Sequence, residues 1–154
     1  MLAGAGFDAL PSRQIVQDMW EKWVFLATLA AVSCLMRATL GDVLKAPGGE
    51  ALILSILDEC RAIAEGAGHA PRIAFVGQAR STFATTGSPL AASMLRDVQD
   101  TAAIEADQII GDLRQRRSSQ GHTAPLLNIA CTHLKTYEAW RERAGISNRA
   151  GASH

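Results

Sequence analysis

This 154-residue chain is expected to fold as an all-α helical bundle, and two observations carry that expectation. No segment alternates apolar and polar residues with period two, whereas several repeat apolar residues at i, i+3, i+4 and i+7, the period of a half-buried helix. The second observation is residues 20–36, WEKWVFLATLAAVSCLM, which contain two of the three tryptophans and no charge from position 23 onward. A helix that is apolar on every face is buried, not half exposed. Its uncharged run falls short of the roughly 20 residues that cross a bilayer, so it is expected as the central core helix and not as a membrane span.

The elements follow in order. Residues 1–10 are rich in Gly and Ala and read as an extended lead-in. Their Gly4-Ala5-Gly6 resembles the start of a dinucleotide-binding loop. That loop needs a β-strand before it, and three residues are too few for one. Pro11-Ser12 starts the first helix, which runs through Ile15, Val16 and Met19 into the central segment and is expected to end near Gly41. Lys45-Ala46-Pro47-Gly48-Gly49 is a turn. A second helix follows on Leu52, Ile53, Ile56, Leu57, Cys60, Ile63 and Ala64, and Gly66 and Gly68 stop it. Pro71 opens a third over residues 72–84, and Thr85-Thr86-Gly87-Ser88-Pro89 breaks the chain again. A fourth is expected from about Pro89 through Val98, a fifth over residues 104–117 and a sixth from Pro125 through Trp140. Ala144-Gly145 ends the last, leaving residues 146–154 as a loose tail. The folded domain is therefore residues 11–145.

Composition narrows function. Lys plus Arg and Asp plus Glu number 15 each, so no net field favours nucleic acid or anionic lipid. The run Arg114-Gln115-Arg116-Arg117 has no aromatic interleaving and reads as a solvated helix end. The three cysteines, Cys34, Cys60 and Cys131, form no CxxC pair and suit reduced thiols in a cytoplasmic protein. Asp8 is the first charge and no basic segment precedes an apolar one, so no secretory leader is expected. The histidines at 69, 122, 133 and 154 lack partners at metal-ligand spacing, so no metal site is expected.

Lys22 stands at the mouth of the apolar run, either at the surface on a snorkelling stem or held in a cleft. Ser93-Met94-Leu95-Arg96-Asp97 is followed by Glu105-Ala106-Asp107 and Gly111. Taken alone, Ser93 is an ordinary helix residue, and Glu105 complements a helix dipole.

In order, Trp20-x-Lys22, Glu59 with Ala64 and Gly68, Ser93-Met94-x-x-Asp97, Glu105-x-Asp107 with Gly111, and Thr123-x-Pro125 form a set. In this series the chain resembles the C-terminal helical domain of ketopantoate reductase (2-dehydropantoate 2-reductase), over about residues 12–140. The resemblance implies a bundle like the second domain of 6-phosphogluconate-dehydrogenase-type reductases. It also implies the substrate-closing half of an NADPH-dependent oxidoreductase that converts a 2-oxo acid to a 2-hydroxy acid in pantothenate biosynthesis. Lys22 resembles the family's catalytic lysine, Glu105 the carboxylate near it, and Ser93 the serine that holds substrate. Two departures stand out. The family commonly has asparagines four and eight residues after the lysine, where this chain has Leu26 and Ala30. The nucleotide-binding Rossmann domain is absent, so no residue here is expected to bind NADPH. Either such a domain is supplied by a partner, or the chain is a non-catalytic helical module for dimerisation or partner binding. A homodimer is the simplest assembly expected.

Overall fold

A computed structural model describes residues 13–112, 115 and 123–146. The expected lead-in, the basic residues at 114, 116 and 117, the polar loop up to position 122 and the tail from 147 lie outside the described residues. Those described form helices and no strand: α1 (Arg13–Met36), α2 (Leu40–Lys45), α3 (Gly49–Gly66), α4 (Ile73–Phe83), α5 (Ser93–Gln99), a π-helical turn (Asp107–Gly111) and α6 (Pro125–Arg143).

The axis of the fold is α1. Val24, Ala27 and the whole run from Thr28 to Cys34 are buried, and α3, α5, α6 and the π-turn pack around it. At 24 residues, α1 is long and apolar enough to cross a membrane, so length does not exclude a span. Burial decides instead, because more than half of that apolar window is packed inside the fold. Small residues at 27, 30 and 31 let neighbouring helices approach closely, and Phe83 of α4 reaches in to meet the Phe25 ring at 4.9 Å. Two expectations about α1 are corrected. It is not buried on every face: Lys22, Leu26 and Met36 are exposed. It also stops at Met36 and not near Gly41, because Arg37 adopts φ 55° and the Ala38 N–H donates to the Ser33 carbonyl at 3.2 Å, the six-residue closure of a Schellman cap. Thr39 then caps α2 by accepting from the Asp42 N–H.

Polar side chains fasten the outer helices. Glu59 of α3 accepts from the Leu126 and Leu127 N–H groups at 3.1 and 2.8 Å, placing a carboxylate on the otherwise unpaired N-terminus of α6. The residue flagged in the sequence series is thus a helix anchor. Gly41 meets the loop at Ser88 so closely that an added Cβ would lie 2.7 Å from the Ser88 carbonyl oxygen. The expected fifth helix is replaced in part by the π-turn, and α5 starts at Ser93, not near Pro89.

Candidate functional site

Lys22 is exposed, and its two neighbours in sequence are each tied down. On one side Glu21, 5% exposed, accepts from the Arg72 backbone N–H at 2.8 Å and from the guanidinium at 3.0 and 2.8 Å, with Gln17 adding a bond at 3.2 Å. These bonds, Arg72's side chain foremost, hold the carboxyl down at about 2 against the opposing effect of burial. Arg72 also pairs with Asp18. On the other side the Trp23 indole donates to the Ile109 carbonyl at 2.9 Å, a long-range bond that ties the π-turn to α1. Trp20 lies 5.1 Å from Trp23 and stacks on His69 at 5.5 Å. The turn of α1 that carries Lys22 is therefore clamped to segments 51 and 86 positions away, by the Arg72 side chain and by the Ile109 carbonyl.

Glu105 is exposed and directly precedes buried Ala106 and the π-turn. Because Ile109 is bonded to Trp23, the chain just after Glu105 sits at the level of Lys22 along α1. π-turns of this kind are rare and occur often at functional positions. Ser93 is exposed at the start of α5, and the preceding Ala92 N–H donates to the Ser33 hydroxyl oxygen at 3.2 Å. Ser33 follows Lys22 by 11 positions, about 16 Å of helical rise. The π-turn after Glu105 is thus tied to the Lys22 end of α1, whereas the chain just before Ser93 is tied to α1 about three turns further on. Among the described residues no hydrogen bond or ion pair links the side chains of Lys22, Ser93 and Glu105. Of the two positions where the family commonly has asparagine, Leu26 is 41% exposed, whereas Ala30 is buried. Met19, at 63% exposure, lies three residues before Lys22 on the same face. A single lysine between two exposed apolar side chains is an open face and not a closed pocket.

Sequence reasoning missed the Glu21–Arg72 clamp and the π-turn. The first had a signal: a carboxylate one residue from an apolar helix run must find a cation if it is buried. Among the described residues no cluster of His, Cys, Asp and Glu could hold a metal ion.

Fold and face define the class first: an all-α domain built on one long helix. More specifically, the chain belongs to the ketopantoate reductase PanE/ApbA C-terminal family, whose model matches residues 14–138. It is similar to the uncharacterized oxidoreductase YkpB of Bacillus subtilis (strain 168), 25% identical over 137 residues, covering 89% of this chain and 45% of YkpB. Among solved structures it is similar to a PanE/ApbA family ketopantoate reductase from Ralstonia eutropha JMP134, with TM-score 0.75 and 19% identity over 85% of this chain and 44% of that one. A dimeric ketopantoate reductase from Staphylococcus aureus gives TM-score 0.74 and 19% identity, covering 86% of this chain and 46% of that one. The chain spans less than half the length of each of these proteins.

Proposed function

We propose that this chain is the substrate-side half of an NADPH-dependent 2-oxo acid reductase, with Lys22 as its catalytic residue. The observation that carries the reading is the clamped turn of α1. Glu21 and Trp23 are both bonded to distant segments, so Lys22 projects from a rigid base onto an open face of a family-typical fold. Preorganisation of this kind makes a charge most effective where new charge develops.

NADPH would be held by a nucleotide-binding domain outside these 154 residues, and when bound it would supply the hydride. The residues of this chain act on the carbonyl. The Lys22 ammonium binds the ketone oxygen, stabilises the negative charge that builds there in the transition state, and gives that oxygen a proton. By resemblance to the family, Glu105, two residues before the π-turn, orients the ammonium, and Ser93 is the residue assigned to hold the substrate. Leu26, where relatives commonly place asparagine, favours a 2-oxo acid with an apolar substituent, since a polar group facing it would go unpaired at about 1–3 kcal/mol. The exposed Met19 and Leu26 suit a face covered by the nucleotide domain or by a second copy, in a cytoplasmic enzyme of pantothenate biosynthesis.

A direct test is ligand-observed binding of a branched 2-oxo acid to the ¹⁵N-labelled chain. Shifts at the Trp23 indole and at residues 105–109, lost in Lys22→Ala, support the assignment. Unchanged spectra at tens of millimolar ligand count against it.

A further inference from the structure

Far from Lys22, a cavity of about 450 Å³ opens between the C-terminal ends of α1 and α5 and one face of α6. Arg37, Thr101, His133, Thr136, Tyr137 and Trp140 are among the residues lining it, and its size lies in the range of small-molecule sites.

The backbone at its rim is unusual. Left-handed backbone occurs at Gly48, Gly68, Gly87 and Gly145, where glycine adopts it without strain. Among the described residues the two non-glycine exceptions are Arg37 and Thr101, each at φ 55°, and both line this cavity. Each follows a helix end closed in the same way: Ala38 N–H to the Ser33 carbonyl at 3.2 Å, and Ala102 N–H to the Asp97 carbonyl at 2.7 Å. Glycine is the usual residue there, and a β-branched threonine is a true outlier. Strain held at two facing positions of one concavity points to side chains that are used.

The chemistry of the lining narrows the ligand. Arg37 forms no hydrogen bond or ion pair among the described residues, so its guanidinium is free to take a partner. His133 presents a buried Nε2 without a hydrogen-bond partner among those residues, and such orphans are rare in native folds. Trp140 and Tyr137, with ring centroids 6.1 Å apart and planes tilted by 34°, supply an aromatic wall. The carbonyls of the α5 end, which would repel an anion, are already engaged. The Tyr137 hydroxyl donates to the Ala102 carbonyl at 2.6 Å, with the Asp97 carbonyl 3.3 Å away, and the Arg141 guanidinium donates to the Thr101 carbonyl at 2.8 Å. We propose that this cavity is a binding site for a small carboxylate bearing a flat apolar group. The carboxylate would pair bidentately with Arg37, its body lying against Trp140 and a polar edge reaching His133.

The competing account makes Arg37 merely a cation at the negative end of the α1 dipole, and the two accounts are separable. The probe is benzoate, titrated into the full ¹⁵N-labelled chain, whose tryptophans at positions 20, 23 and 140 give separate indole signals. Saturable movement of the Trp140 signal in the millimolar range is expected. It should weaken at least tenfold in Arg37→Ala, recover in part in Arg37→Lys, and be absent with benzyl alcohol, which lacks the carboxylate. Arg37→Gly supplies the second readout. Relief of the left-handed strain should raise the melting temperature by about 2–4 °C while abolishing the benzoate response. A Trp140 signal that does not move, or that moves equally in Arg37→Ala, overturns the proposal. So does an Arg37→Gly protein that melts lower and still binds.

Discussion

The Glu21–Arg72 clamp should dominate the acid stability of the chain. Glu21 is 5% exposed, and Arg72 holds its carboxyl from an ordinary 4.5 down to about 2. Between those values lies about 3 kcal/mol at 1.36 kcal/mol per tenfold. The Arg72 side chain is itself 49% exposed, so screening reduces the contribution to about 2 kcal/mol. Because the folded value lies below the unfolded one, this stability is fully present above pH 4.5 and is lost as pH falls toward 2. Arg72→Ala should therefore lower the melting temperature at pH 7, and lower it less as the pH falls toward 2. Urea unfolding followed by tryptophan fluorescence from pH 7 to pH 2 provides the assay, with wild type and variant compared at each pH. The two curves should converge on acidification. A double-mutant cycle with Glu21→Gln should return most of the 2 kcal/mol as coupling. A constant gap across the pH range, or additive single variants, would refute the reasoning.

Phe83→Ala, which empties a fully buried site against Phe25, should cost about 3–5 kcal/mol in the same assay; a loss under 1 kcal/mol would show that the site collapses. The chain alone should give no heat of binding with sub-millimolar NADPH in isothermal titration, and a micromolar dissociation constant would contradict that. With Ile15, Met19 and Leu26 exposed along one face of α1, sedimentation at high micromolar concentration should show self-association, most simply a two-fold dimer. A strict 16.4 kDa monomer would count against it.

Much of the fold was legible from local chemistry. The Pro-Gly-Gly turn before α3, Pro71 before α4 and Pro125 at the head of α6 set boundaries within a residue or two of those observed, because each acts on backbone torsions directly. The break after Met36 was not legible. It depends on a left-handed Arg37 where a glycine would have announced it. The π-turn was likewise hidden, since Asp107–Gly111 carries no residue that distinguishes one helical register from another. Of the site, the order of Lys22, Ser93 and Glu105 was readable by resemblance. Their arrangement was not, because it rests on bonds such as Trp23 to Ile109 and Ala92 to Ser33, which join positions 86 and 59 residues apart. Glu59 shows the converse: a flagged residue whose role is to cap α6.

The central claim is that Lys22 serves the carbonyl of a 2-oxo acid, and a chimera tests it most directly. This chain would replace the matching 45% of YkpB, and NADPH oxidation would be followed at 340 nm with a series of 2-oxo acids. The account predicts turnover that favours apolar substituents and falls about 10²–10⁴-fold in kcat on Lys22→Ala, with NADPH binding unchanged. A chimera that binds NADPH and either reduces no 2-oxo acid or turns over equally well with alanine at position 22 would contradict it.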